Sequence, residues 1–351
     1  VLLMLAILMI ADVSRADDDS KLRITQVESN LPNLKLFVEL ENVYLDNSKL
    51  KKNLNIKLND IPVQITDIQS VKNGNKVAEN TAYLVLVDTS ASMQNSISEV
   101  QSMLEELYGF VSSEDKIAVF SVSNKLQPVK DFMSNDSSDQ VSRNLKNALS
   151  LDATAGTYLY SGIREAYDRG RTAPDIPSRR IIILVTDGGV EGDCLSCDDL
   201  KSYLDVDRLP VYTLILNQQA SVDEDFKNAA DQIGERTGGQ SFVSMSGNKL
   251  FAQFKASQEK SSILMLRCDN FKPLNLQANL TVSLPGSQGE IEQTVKFTAT
   301  PAADNTTKLN NQQNLRTSYY GVMVILIPMI LSLFFILAIG WVLLTKGEQP
   351  L

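Results

Sequence analysis

Hydrophobic and polar positions fall into two textures along the chain. From Lys21 to about Lys76, apolar and polar residues alternate in the short runs "LRITQV", "LKLFVEL", "LNIKL" and "VQITDI", separated by Asn, Asp and Pro. A period of two between turn residues predicts half-buried strands, with no helix among them. The same texture returns in "SILMLRC", "LQANLTVSL" and "EQTVKFTAT", at 262–300. Either group alone would make a poor sheet with exposed edges. Together they are predicted to form one small β-sandwich, with the middle of the chain inserted between 21–76 and 262–300.

The middle, 81–260, is patterned differently. "YLVLV", "KIAVFSV", "RIIILV" and "PVYTLIL" are near-continuous apolar runs, as expected of strands covered on both faces. Helical patterns lie between them. Ser96-Ile97-Ser98-Glu99 has the form of a capping box, followed by an apolar stripe at Val100, Met103, Leu104, Leu107, Phe110 and Val111. Ser221-Val222-Asp223-Glu224 opens another helix that ends at Thr237-Gly238-Gly239, and Tyr158–Arg171 and Asn248–Glu259 complete the set. Strand and helix in alternation predict an α/β fold with a doubly wound, mostly parallel sheet, whose ligands bind at the carboxyl ends of the strands.

Both ends of the chain are apolar. Val1–Ala11 is too short to span a bilayer and reads as the core of a signal peptide at 1–16, with a buried N-terminal helix as the alternative. No basic leader or initiator Met precedes it, so the sequence is expected to start inside the leader. Tyr320 to Leu344 carries no charge and has Tyr319, Tyr320 and Trp341 near its ends, which predicts a transmembrane helix. The polar, Asn/Gln-rich stretch at 301–318 is then a stalk and 345–351 a short cytoplasmic tail. This layout places the region between leader and span outside the cytoplasm, displayed from a cell membrane by a single pass.

Composition narrows the chemistry. The chain has 43% hydrophobic and 21% charged residues, as a globular protein does, and a net charge of −9 that argues against nucleic acid as a partner. It contains no histidine, which removes Ser-His-Asp and Cys-His catalysis and imidazole-based zinc sites. Ser-x-x-Lys occurs at 48–51 and 257–260, but two hits in unlike places with no companion motif do not make an acylase. No enzymatic activity is expected and no small-molecule cofactor.

What remains is a set of hard oxygen donors. Asp88, Ser90 and Ser92 follow directly on "YLVLV"; Asp187 follows "RIIILV" in "TDGG"; Thr157 stands in the Gly-led turn "AGTYL". Carboxylates and hydroxyls without imidazole suit Mg²⁺, Mn²⁺ or Ca²⁺. The plain alternative is a metal-free capping cluster, since Ser and Asp are common after strands. These three spaced motifs resemble the von Willebrand factor A domain and its metal-ion-dependent adhesion site, with Asp88, Ser90 and Ser92 as D-x-S-x-S, and with Thr157 and Asp187 as the matching threonine and aspartate. Ala91 departs from the Gly of many relatives. The resemblance implies that Ser90, Ser92 and Thr157 ligate the ion directly, that Asp88 and Asp187 act largely through water, and that a protein partner presenting an Asp or Glu supplies the last ligand. It also implies adhesion or protein binding; the alternative is a membrane-anchored scaffold of an envelope complex, as in the bacterial Bat-type proteins.

The three cysteines are Cys194, Cys197 and Cys268. In an exported chain the C-x-x-C of Cys194 and Cys197 is expected to be a local disulfide, ahead of free thiols or a redox motif, and Cys268 a buried free thiol. The acidic segment from Glu191 to Asp199 follows the "TDGG" loop, and is either a partner-filtering rim or a solvated loop in which Ser196 caps the next helix. Asn135, Asn279 and Asn305 head N-glycosylation sequons, which matter only in a eukaryote.

Overall fold

In the computed structural model, residues 20–73, 76–133, 136–151, 156–205, 207–217, 223–269, 277–286 and 289–299 are described. The predicted leader, stalk, membrane span and tail lie outside them. Among the described residues no helix is long and apolar enough to cross a membrane.

The N-terminal part contains β1 (Lys21–Asn30), β2 (Asn33–Glu41), α1 (Asn47–Asn53), β3 (Asn55–Leu58), β4 (Ile61–Pro62), β5 (Gln64–Ser70), β6 (Lys72–Asn73) and β7 (Lys76–Val77). The middle follows with β8 (Thr81–Asp88), a 3₁₀ turn at Ala91–Ser96, α2 (Ile97–Phe110), β9 (Lys116–Val122), β10 (Leu126–Lys130), α3 (Ser138–Leu151) and α4 (Leu159–Thr172). Next come β11 (Arg179–Thr186), α5 (Cys197–Tyr203), β12 (Val211–Leu216), α6 (Glu224–Thr237), β13 (Gln240–Ser244) and α7 (Gly247–Glu259). Three strands close the described chain: β14 (Ser261–Arg267), β15 (Gln277–Pro285) and β16 (Glu290–Thr298).

Among the described residues the middle strands form a six-stranded sheet in the order β10-β9-β8-β11-β12-β13. It is mixed: β10 runs antiparallel to β9 at one edge, and the other pairings are parallel. Strand β8 is buried at all eight positions, and its side chains divide by parity. Ala82, Leu84 and Leu86 pack with residues of α4, α5 and α6, whereas Tyr83, Val85 and Val87 pack with residues of α2, α3 and α7. A near-continuous apolar run therefore serves two cores at once.

The segments before and after this domain share two further sheets, ordered β1-β2-β14-β5 and β16-β15-β3-β4. Strand β14 pairs antiparallel with both β2 and β5, and β15 pairs with β3. Ile24, Leu36, Ile56, Leu58, Leu264, Leu280, Val282 and Phe297 enclose one core between them.

Three local expectations fail, the first being the set of helices, which also includes the unpredicted α3 at Ser138–Leu151. A helix does interrupt the N-terminal strands: Asp46 caps α1 by accepting from the Ser48 and Lys49 N–H groups, a signal too short to register as periodicity. The capping box at Ser96 is not formed. The 3₁₀ turn runs straight into α2, so Ser96 makes no side-chain cap, and the Glu99 carboxylate instead accepts from the Gly247 N–H at the start of α7. At Ser221–Glu224, the residue that caps α6 is Asp223.

The sandwich meets the amino-terminal ends of β8, β11 and β12 through a buried polar junction. Arg179 donates to the Thr81 hydroxyl at 2.8 Å and to Gln258 at 2.6 Å. Glu39 of β2 accepts from Arg23 at 2.8 Å and from the Tyr212 hydroxyl. Burial pushes the Glu39 carboxyl up, while the Tyr212 hydroxyl and the Arg23 charge hold it down. At the next contact, Gly238 ends α6 with φ of +85°, and a Cβ there would lie 2.3 Å from the Ile24 carbonyl oxygen.

Candidate metal centre at the carboxyl edge of the sheet

The five candidate residues come from three chain segments at the carboxyl edge of the six-stranded sheet. Asp88 is the last residue of β8 and is fully buried. Both of its oxygens are engaged: one accepts from the Ser90 N–H at 2.8 Å, the other from the Thr186 hydroxyl at 2.6 Å. Burial pushes the Asp88 carboxyl up to about 6, these two donors hold it down, and the neighbouring Asp187 charge adds to the rise. Ser90 and Ser92 stand with their hydroxyl oxygens 3.0 Å apart, at the start of the 3₁₀ turn.

Asp187 follows β11, the parallel neighbour of β8. The chain turns sharply behind it: Gly188 has φ of +93° and donates its N–H to the Thr186 hydroxyl at 3.1 Å. Thr186 thus ties the ends of β8 and β11 together. No periodicity marks Thr186 as functional, although it stands directly before Asp187-Gly188.

Thr157 reaches the site as a short strap. It exchanges backbone hydrogen bonds with Glu191 in the loop after β11, and the adjacent Tyr158 N–H donates to the Ser123 carbonyl beyond β9. Because β8 lies between β9 and β11, this strap crosses the end of β8. Gly156 permits the approach, since a Cβ there would lie 2.7 Å from the Glu191 carbonyl oxygen.

The polar groups are satisfied unequally. Among the described residues neither the Thr157 hydroxyl, in a side chain only 6% exposed, nor the Asp187 carboxylate has a hydrogen-bond partner, and the Ser92 hydroxyl has only that of Ser90. The Thr157 hydroxyl is open to solvent or to a ligand, since the one fully buried side-chain polar atom without a partner among the described residues is the Ser112 hydroxyl, after α2. Hydroxyl and carboxylate oxygens make a donor set that fits a hard divalent cation, with no soft or imidazole ligand among them.

The acidic loop beyond Asp187 has local duties. The Glu191 backbone holds the strap, and Asp193 accepts from the Ser161 N–H at 3.0 Å and from its hydroxyl at 2.6 Å at the start of α4. Ser196 caps α5 by accepting from the Asp199 N–H. Cys194 and Cys197 are free thiols, not a disulfide. Cys194 is exposed, while Cys197 opens α5 and packs against the apolar layer beneath, so the two side chains face different surroundings. Cys268 is a buried free thiol.

Residues 83–190 match the family model of the von Willebrand factor type A domain, so the chain contains a domain of this type. No curated protein matches the chain in sequence. Among solved structures the chain is similar to proximal thread matrix protein 1 from the mussel byssus, at 16% identity and a TM-score of 0.40, over 52% of this chain and 48% of that one. It thus spans about half the length of the mussel protein. It is also similar to a von Willebrand factor type A protein from Catenulispora acidiphila, at 10% identity and a TM-score of 0.40, over 83% and 76% of the two chains. A third likeness is to the ArnB paralog VWA2 from Sulfolobus acidocaldarius, at 15% identity and a TM-score of 0.39, over 80% and 75%.

Proposed function

We propose that this protein binds a protein partner through a divalent cation, Mg²⁺ by preference, held by Ser90, Ser92 and Thr157 with Asp88 and Asp187 behind them, and that it makes or breaks no covalent bond. The observation that carries this reading is the unpartnered Thr157 hydroxyl and Asp187 carboxylate, set beside the Ser90–Ser92 pair at one sheet edge. Domains of this type generally mediate protein–protein interaction or adhesion, which supports it.

The bound cation would supply an electrophilic centre for a partner carboxylate. The chain's own residues decide how strongly that centre attracts. Three of the donors are neutral hydroxyls and leave the charge of the ion uncompensated. Asp88 already accepts two hydrogen bonds and therefore acts by orienting Ser90 and Thr186. Asp187 is then the uncommitted anion of the five residues, and an Asp or Glu of the partner completes the charge balance. On the sequence features, the domain is displayed outside the cytoplasm from a single membrane span, where such a partner is accessible.

The test is capture of partners from an extracellular extract by the full chain in detergent. Retention in Mg²⁺, release by EDTA, and no retention by Asp187→Ala are expected. Retention that EDTA leaves unchanged refutes the mechanism.

A further inference from the structure

A second candidate site lies far from the metal edge, where the sandwich meets the amino-terminal side of the α/β domain. A cavity of about 190 Å³ opens between the loop after α5, the end of α6 and the outer strands β15 and β16. Arg208, Arg236 and Lys296 line it with Asn279 and Thr294, and Asp205 is the single carboxylate. In a chain with a net charge of −9, this is a local excess of positive charge. The same two arginines also border a larger cavity of about 580 Å³, lined besides by Lys201, Ser202, Gln232 and the carboxylates Asp198 and Glu235.

Arg208 distinguishes the site from a solvated basic patch. Its guanidinium is half-buried, and its one hydrogen bond among the described residues runs to the Ile24 carbonyl at 2.7 Å. It enters no ion pair among the described residues, because Asp205 pairs with Arg236 and Asp207 with Arg171. Lys296 is likewise without an ionic partner there. A guanidinium carries five N–H donors in a rigid fork, so most of this fork is uncommitted. The charge is also poorly compensated: burial, followed by the repulsion of Arg236, pushes the Arg208 guanidinium down to about 10.

The walls are already held in place. The Arg208–Ile24 bond ties the loop to β1, and the Thr298 N–H of β16 donates to Asp207 at 3.2 Å. The Arg208 donor is thus held before an anion arrives, whereas the exposed Lys296 is ordered by it.

We propose that this junction binds a tetrahedral oxyanion, phosphate or sulfate, with its oxygens between Lys296 on the sandwich and Arg208 and Arg236 on the α/β domain. The smaller cavity suits the anionic group alone. The larger one, opening from the same arginines, has room for a sugar-sized body, so the group is either a free anion or a monoester carried on a saccharide. Arg and Lys around phosphate or sulfate form the strong class of charge-assisted hydrogen bonds.

The experiment is calorimetric titration of the full chain with inorganic phosphate, inorganic sulfate and N-acetylglucosamine 6-sulfate, with EDTA present so that the metal centre takes no part. Saturable binding is expected, weakened at least tenfold in Arg208→Gln and in Lys296→Gln and unchanged in Lys255→Gln, on the distant α7. Arg208→Gln also removes the Ile24 contact and can disturb the fold. Lys296→Gln touches an exposed side chain without described partners and keeps the test decisive. Tighter binding of the sulfated sugar identifies the carried group as the ligand; equal binding identifies the free anion. The proposal is overturned if none of the three probes saturates below about 10 mM, a binding free energy near −2.7 kcal/mol, or if Lys296→Gln binds as tightly as the wild type.

Discussion

Replacing Ser90 by Ala tests the candidate metal site at modest expected cost to the fold. Without metal the Ser90 hydroxyl pairs with that of Ser92 at 3.0 Å and helps hold down the Asp88 carboxyl, and it makes no cap to the turn it precedes. The loss should cost about 0.5–1.5 kcal/mol. The Ser90 N–H bond to Asp88 belongs to the backbone and survives. With metal the arithmetic differs. At a Mg²⁺ concentration about 100 times its Kd, binding stabilises the wild type by about 2.7 kcal/mol, and if the loss of one ligand weakens affinity about 100-fold, only about 0.4 kcal/mol remains. At about 2–4 °C per kcal/mol for a domain of this size, the Mg²⁺-induced rise in Tm should fall from about 5–11 °C to about 1–2 °C. Thermal unfolding followed by circular dichroism, with MgCl₂ and with EDTA, measures both quantities. A Ser90→Ala protein that kept the wild-type Mg²⁺ shift would refute the assignment of this hydroxyl as a ligand.

Three further expectations concern the fold. Glu39 has a folded pKa raised above its ordinary value of 4.5, so in the window above 4.5 the folded state holds the extra proton and stability falls as pH rises. The urea midpoint of the wild type should therefore decline more steeply from pH 4.5 upward than that of Glu39→Gln, and parallel curves would show that Glu39 is not the titrating group. Gly109→Ala should stabilise by about 0.5–1 kcal/mol, because its Cβ meets nothing within 4 Å on an exposed helical position. Gly238→Ala should destabilise by about 1–3 kcal/mol, because it combines positive φ with a clash against β1; equal effects in urea melts would contradict the close approach. Iodoacetamide should label Cys194 first and Cys268 only after unfolding, since Cys268 is buried and its thiol is pushed up to about 11 by burial. Mass spectrometry that found Cys194 and Cys197 oxidised together in the native protein would contradict the free thiols.

The α/β domain was legible because burial on two faces leaves a strong trace in one dimension. "YLVLV" needs apolar residues at every position only if each face of the strand meets its own helical layer, and the helices between such runs follow from period and caps. The candidate donors were legible for a related reason. Hydroxyls and carboxylates directly behind buried strands must lie at the carboxyl edge of a parallel sheet. Short and edge elements left weaker traces. Helix α1 rests on one cap rather than on a repeat, and β10 is interrupted by Pro128 on a sheet edge where no second face demands an apolar pattern.

Taken alone, the amino-acid sequence narrowed the candidate chemistry: it holds no histidine, and it sets the hard oxygen donors Asp88, Ser90, Ser92, Thr157 and Asp187 behind strands or in a Gly-led turn. Tertiary structure decided how those donors are divided. Both oxygens of Asp88 are committed to Ser90 and Thr186, whereas Thr157 is carried over the end of β8 with its hydroxyl unpaired. It also decided that Glu99 caps α7 rather than its own helix, that Cys194 and Cys197 face different surroundings, and that Arg208 and Lys296, far apart in sequence, line one cavity. Periodicity and spacing record what a residue does for its own strand or helix. Which distant partner uses up a hydrogen-bonding group depends on how the strands are ordered, and that order becomes fixed only when the sheets assemble.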